Sequence, residues 1–319
     1  MRETLAKVID GMLRPLGLTC LRGKDAQRQE IVSGVLIEMA NSNPSIGSPT
    51  ENPFVTGIVF SRDRACQLYA LLESFHAKTV GNVPLHVLFK ASSARHLKAY
   101  EEVRADFADK PVTWINETDF REDLLKIFKH INSYRVFFLV DDIVVTREMD
   151  FERLRPFPPG QCVVSFRLGE NITRHHQQPL PSPALRPSRI DAHFREWSWA
   201  EGELNWGYPL SVDGHLFATY EIRAMAKELG FSAPNSFEKA LQMFRPVFAR
   251  RLGICFRESR LVNLPLNMVQ TERKNYHGDV QPEFLLEQWE AGRKIAVEDF
   301  FEWTNQSLHQ EHPLRFVPR

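Results

Sequence analysis

In FFLVDDIVV, residues 137–145, four apolar side chains run into two adjacent carboxylates, Asp141 and Asp142, and three more apolar residues follow. Such a run reads as a buried strand, and unpaired carboxylates strongly resist burial. A metal ion carrying a phosphate is one answer to what meets those charges. The bland alternative is that one Asp starts a turn and the other pairs with an Arg or Lys.

Outward from this stretch, the preceding chain alternates strand and helix. VTGIVFS (55–61), VPLHVLFKAS (83–92), PVTWINE (111–117) and YRVFFLVDDIVV (134–145) read as strands. RDRACQLYALLESFHAK (62–78), SARHLKAYEEVRADFA (93–108) and DFREDLLKIFKHINS (119–133) read as helices, the last two capped by Ser93 and Asp119. Apolar strands alternating with helices predict an α/β fold with a parallel sheet covered on both faces.

After Met149 the pattern changes. CVVSFRLGENI (162–172) is a strand candidate, and the proline-rich stretch 173–191 reads as a long loop. Residues 197–220 predict a hairpin or two, 221–231 and 235–252 helices, and 256–267 a last strand. Leu5, Val8, Ile9, Met12, Leu13 and Leu16 are spaced as in an amphipathic helix, followed by a charged stretch and a linker, NSNPSIGSPTENP (41–53). Residues 1–24 either pack on the body of the protein or lie on a membrane surface or a partner.

The 319 residues carry 40 Lys+Arg and 40 Asp+Glu, so overall charge gives no reason to expect nucleic acid. Cys20, Cys66, Cys162 and Cys255 form no CxxC pair, which speaks against a zinc ribbon and fits a reducing compartment. No apolar run is long enough for a bilayer span, and the N-terminus lacks a signal-peptide pattern. The expectation is a cytoplasmic protein, at most peripheral at the inner face of the membrane.

Acids at the end of a strand suit several nucleotide-using classes. A Walker B strand needs a GxxxxGK[ST] loop, and GLTCLRGKD has the wrong spacing and no Ser or Thr. A dinucleotide fold needs GxGxxG after its first strand, which here ends in FSRDRA. What remains is the crevice at the carboxyl ends of parallel strands. There Asp142 is assigned to a divalent cation bridging two phosphates, Mg²⁺ or Mn²⁺, and Asp141 to a ribose hydroxyl.

The order of VTGIVFSRDRACQLYALLESF, a strand ending in KAS, and FREDLLKIFKHINSYRVFFLVDDIVV resembles the GT-A glycosyltransferases, the nucleotide-diphospho-sugar transferase superfamily. The likeness covers residues 55–150 and, more loosely, 160–275; VDD stands where that family has DxD or a variant such as xDD. The resemblance implies a mostly parallel central sheet flanked by helices, with a smaller antiparallel or hairpin acceptor portion. It divides the chain into an N-terminal helix and linker (1–50), a nucleotide-sugar-binding half (51–150), an acceptor half (151–275) and a helical tail (276–319).

The resemblance also implies site residues. Phe60, Ser61, Arg62, Asp63 and Arg64 match the first nucleotide-contacting loop, with Lys90, Asn116 and Asp141 on the same side. The metal would take Asp142, with Asp141 and a histidine, His277 before His215 and His309. Arg273 and Lys274 would close on the diphosphate. Glu238, in PNSFEKAL with Ser236 as its cap, is the base, and Asp213 in SVDGHLF its competitor, although Asp-Gly there also reads as a hairpin turn. Trp206 and Tyr208, with His215, would form a sugar-binding wall, a role that core packing competes for.

The implied activity is metal-dependent transfer of a sugar from a nucleotide-diphosphate donor, a UDP-sugar by preference, to a surface-glycan or lipid-linked saccharide acceptor. The alternative is a degenerate relative that binds sugar nucleotide or scaffolds a glycan-biosynthesis complex.

Overall fold

The computed structural model describes residues 23–42, 53–175, 178–266 and 282–319. Its contacts divide the chain into 1–45 and 46–319. In the first unit the charged stretch forms a helix, α1 (Gly23–Ser42), where no helix was expected. Among the described residues no helix is long and apolar enough to cross a membrane.

In the second unit the predicted alternation holds. β1 (Val55–Arg62), α2 (Ala65–Lys78), β2 (Leu85–Lys90), α3 (Ala94–Asp106), β3 (Val112–Asn116), α4 (Phe120–His130) and β4 (Arg135–Val140) follow in order. The expected caps form. Ser93 accepts from His96 N at 3.3 Å and Asp119 from Glu122 N at 2.9 Å, each satisfying a helix-end donor.

One nine-stranded sheet has the order β3-β2-β1-β4-β11-β6-β12-β10-β9. Its second half comprises β6 (Cys162–Ser165), the edge β9 (Arg186–Pro187), β10 (Phe194–Ser198), β11 (His215–Ala218) and β12 (Leu252–Phe256). Only β11 and β10 run against the rest, so the sheet is mostly parallel, as expected. Small antiparallel pairs join β5 (Ile143–Val145) to β13 (Leu261–Asn263), β7 (Arg174–His175) to β8 (Gln178–Pro179), and β14 (Arg293–Ile295) to β15 (Phe316–Pro318).

Three expectations change. No hairpin joins residues 197–198 to 215–218: β10 pairs with β12 and β9, and β11 with β4 and β6. The helix expected at 221–231 forms as α5 (Thr219–Glu228), but the one expected through residue 252 breaks after α6 (Pro234–Leu241) and the short α7 (Arg245–Phe248), and Leu252–Phe256 is a strand. Gly253 permits it, because a Cβ there would lie 2.2 Å from the Trp197 indole. The tail is also more than helical, since β14 and β15 follow α8 (Pro282–Glu290).

The strand order reverses between β1 and β4. β1 leads by way of α2 to β2, on one side of it, while β4 lies on the other. In open α/β sheets ligands bind outside the carboxyl ends of strands at such a switch point.

Candidate active site at the ends of β1 and β4

Parallel pairing sets Phe60 beside Val140, so the residues after each face one another. Asp141 Oδ2 accepts from Ser61 Oγ at 2.9 Å and from Arg62 N at 3.0 Å, and Oδ1 accepts from Arg64 Nη1 at 3.0 Å. The chain turns at Asp141 and Asp142, so Asp142 Oδ2 also comes within 3.6 Å of Arg64 Nη1. Asp63 makes this geometry with φ 55°, in the left-handed region that Asp tolerates better than most residues. Its carboxylate accepts from Ser92 N at 2.7 Å, tying the ends of β1 and β2. The Tyr100 hydroxyl, on α3, lies 2.6 Å from Ser61 Oγ and accepts from Arg64 N at 3.1 Å.

Strands from the second half bring the remaining groups by running backwards. β11 is antiparallel to β4, pairing Leu216 with Phe137, so its entry lies at the carboxyl end of β4. Gly214, at φ +76°, donates to Phe138 O at 2.8 Å and sets Asp213 there. Asp213-Gly214 is thus a strand entrance and not a hairpin turn. β13 pairs antiparallel with β5, Asn263 opposite Ile143, which puts Asn263 beside Asp142.

A continuous chain of polar contacts follows. Asn263 Nδ2 donates to Asp142 Oδ1 at 3.1 Å and to Asp213 Oδ1 at 3.2 Å. Asp213 Oδ2 pairs with Arg167 Nη1 at 2.8 Å, and that nitrogen donates to Ser211 Oγ at 3.1 Å. Ser211 Oγ and Val212 N both donate to Glu238 Oε2 at 2.9 Å, and Tyr208 OH to Oε1 at 3.1 Å. Glu238 sits on α6, which begins with Pro234; Ser236 Oγ accepts from Ala233 N at 2.9 Å from inside the helix, so Ser236 braces the helix start without being its cap residue.

The charges do not balance. With every group ionised, Asp141, Asp142 and Asp213 set three carboxylates against the Arg64 and Arg167 guanidiniums, three minus two leaving one negative charge, and Glu238 adds a second at the far end of the chain of contacts. Burial pushes the Asp142 carboxyl up to about 7; Arg64 opposes the rise, while Asp141 and Asp213 add to it. Burial also raises Glu238, against its hydrogen bond from Val212. Burial alone would lower Arg64, but Asp141 and Asp142 outweigh it and hold the guanidinium above its ordinary value.

Hard oxygen donors with a formal excess of negative charge fit a divalent cation, and Asn263, whose Nδ2 meets two of the carboxylates, has its Oδ1 buried with no hydrogen-bond partner. Asp141 fits less well, because both of its oxygens already accept. Among the described residues no group of three or more His, Cys, Asp or Glu side chains is arranged to hold a metal ion.

Several expected residues lie elsewhere. Phe60 is buried, its ring against Phe120 and Phe138 at 5.2 and 5.8 Å between centroids, so it is core and not a nucleotide contact. Trp206 is fully buried against Trp197 and offers no face to a sugar. His215 is buried, 3.1 Å from Pro209 O, and burial takes its imidazole down to about 3. Lys90 is paired with Glu117 at 3.1 Å; Arg62 and Asn116 are exposed at the same sheet edge. His309 is carried beside Asn263 by a parallel bridge. Arg273, Lys274 and His277 lie outside the described residues.

Tyr100, Arg167, Ser211 and Asn263 were not anticipated. Arg167 had a signal, a charge directly after an apolar strand, like that of Asp141. The other three had none.

No protein-family model and no curated protein sequence matches the chain. Solved structures do. The chain is similar to a mannosyltransferase from Pyrobaculum calidifontis in complex with GDP-Man and Mn²⁺, at 17% identity over 46% of this chain and 46% of that one, TM-score 0.31. It is similar to S. aureus TarS in complex with UDP-GlcNAc, at 13% identity over 70% of this chain and 60% of that one, TM-score 0.44. A nucleotidyl transferase from Methanothermobacter thermautotroptrophicus matches at 10% identity over 65% and 89%, TM-score 0.38. The match spans about half of the mannosyltransferase and three fifths of the TarS chain.

Proposed function

We propose that the protein is a metal-dependent glycosyltransferase that moves a sugar from a nucleotide-diphosphate donor to a saccharide acceptor. The observation that carries this reading is the unbroken polar chain from Asp141 at the switch point to Glu238 on α6. A chain with excess negative charge at one end and a partly exposed carboxylate at the other suits a reaction that needs both a stabilised leaving diphosphate and a base.

In this reading residues 51–150 bind the donor, a UDP-sugar by preference, and 151–275 receive the acceptor of a surface glycan or lipid-linked saccharide. Arg62, Lys90 and Asn116 face the nucleotide, and Arg273 and Lys274 close on the diphosphate. Asp141 fixes Arg64, whose cation steadies the site. Asp142 holds Mn²⁺ or Mg²⁺, which when bound neutralises the departing diphosphate. Glu238 takes the proton from the attacking hydroxyl in inverting transfer. Its three donors hold the carboxylate in one orientation, while Asp213 is occupied by Arg167 and Asn263, which favours Glu238 as the base. The buried free thiols Cys66, Cys162 and Cys255 suit a reducing, cytoplasmic setting.

A thermal-shift panel of nucleotides and nucleotide-sugars with Mn²⁺, Mg²⁺ or EDTA tests the reading. A ligand at about 100 times its dissociation constant stabilises by about 2.7 kcal/mol. The expected result is metal-dependent stabilisation by one nucleotide family, lost in Asp142→Ala. No shift with any nucleotide overturns it and leaves a scaffolding protein.

A further inference from the structure

Asn263 is 2% exposed, yet only one end of its amide is satisfied. Nδ2 donates to Asp142 Oδ1 at 3.1 Å and Asp213 Oδ1 at 3.2 Å, while Oδ1 has no hydrogen-bond partner. A buried carbonyl without a donor is costly and marks an absent partner. Its position beside two carboxylates says what kind of partner is absent. Without a cation the amide must turn nitrogen toward Asp142 and Asp213, because its oxygen would repel theirs.

A cation reverses that preference. Neighbouring oxygens around an octahedral Mg²⁺ or Mn²⁺ lie roughly 3 Å apart, given metal–oxygen distances of about 2.1 Å. The amide nitrogen lies at that spacing from both carboxylate oxygens, so an amide turned over would set its oxygen at ligand spacing from each of them. The second Asp213 oxygen stays on Arg167 at 2.8 Å, which would orient the carboxylate as outer partners do for metal ligands. The backbone is fixed as well. Asn263 N donates to Leu308 O at 2.9 Å, and Gln310 N to Asn263 O at 3.1 Å, so only the side chain has to move.

We propose that Asp142, the amide oxygen of Asn263 and Asp213 together ligate one divalent cation, with the amide turning over as the cation binds. This rests on the cation reading of the site and goes beyond it by naming two ligands from the acceptor half. The cation then joins the end of β4 to the entrance of β11 and to β13. Asp213, expected to compete with Glu238 as base, becomes a ligand.

Mn²⁺ binding to the full chain, followed by the electron paramagnetic resonance of free Mn²⁺ with and without UDP, tests this. Asn263→Leu and Asp213→Asn are expected each to weaken Mn²⁺ binding by about tenfold or more, and Asn263→Asp to tighten it by about threefold or more. If Asn263→Leu does not fold, Asn263→Asp and Asp213→Asn decide: unchanged affinity in both overturns the proposal. Wild-type affinity in Asn263→Leu and Asp213→Asn, with binding lost in Asp142→Ala, overturns it while leaving the transferase reading standing. No Mn²⁺ binding by the wild type, with or without UDP, removes the cation from both.

Discussion

The parallel half of the sheet delivers Ser61, Arg64 and Asp141 from the ends of neighbouring parallel strands, whereas the second half of the chain sends Asp213 back on β11, which opposes β4, and Asn263 on β13, which pairs with β5 outside that sheet. The electrostatics differ in the same way. In the first half one guanidinium and two further donors saturate Asp141. In the second, Arg167 faces Asp213 directly and reaches Glu238 only through Ser211. The first arrangement anchors a site; the second leaves carboxylates available for chemistry.

The sharpest break would come at Glu238. Glu238→Gln is expected to lower kcat by about 10²–10⁴-fold while donor binding stays unchanged, as steady-state kinetics and calorimetry would record. A loss confined to KM would move the base elsewhere. Next is Arg64. Arg64→Met leaves Asp141 and Asp142 facing an apolar side chain and should cost about 3–5 kcal/mol in urea unfolding. Arg167→Met, which strands one carboxylate instead of two, should cost less. Equal costs would erase the contrast between the halves.

Packing in the parallel half gives the third test. A Cβ on Gly57 would lie 2.5 Å from both Leu85 and Phe137, so Gly57→Ala should destabilise by about 2–3 kcal/mol. The smallest effect is the pH dependence from Asp142. The unfolded carboxyl releases its proton near 3.8 and the folded one near 7, so the folded state holds the proton more tightly. Metal-free stability should therefore fall as pH rises between those values, on the order of 1–2 kcal/mol after solvent screening, and level off above. Asp142→Asn should flatten that slope, and a slope unchanged in the variant would assign it to another group.

The same contrast explains what could be read in advance. β1 to β4 are largely apolar runs of five to eight residues joined by helices, two of them capped, so local pattern sufficed for the strands and for the caps Ser93 and Asp119. In the second half β6 and β11 are four residues long and pair with strands distant in the chain. Leu252 follows helix-forming Ala249–Arg251 and reads as the helix end, while Gly253–Cys255 fall between that helix and the strand expected at 256–267. The two Asp residues were visible, but their partner Arg64 depended on the left-handed turn at Asp63. Asn263, in NLPLN, has no periodic or motif signal, and only its register with β5 sets it against Asp142. Trp206 and His215 misled because an aromatic cluster reads alike whether it faces a sugar or, as here, the core.

In the proposed function a nucleotide-sugar is bound at the β1–β4 switch point and broken there. The direct measurement is release of nucleoside diphosphate from a panel of nucleotide-sugars by the purified chain, with Mn²⁺ and with EDTA. The expected result is Mn²⁺-dependent release from one donor, abolished in Asp142→Ala. Release from none, by protein that still binds nucleotide, would contradict it.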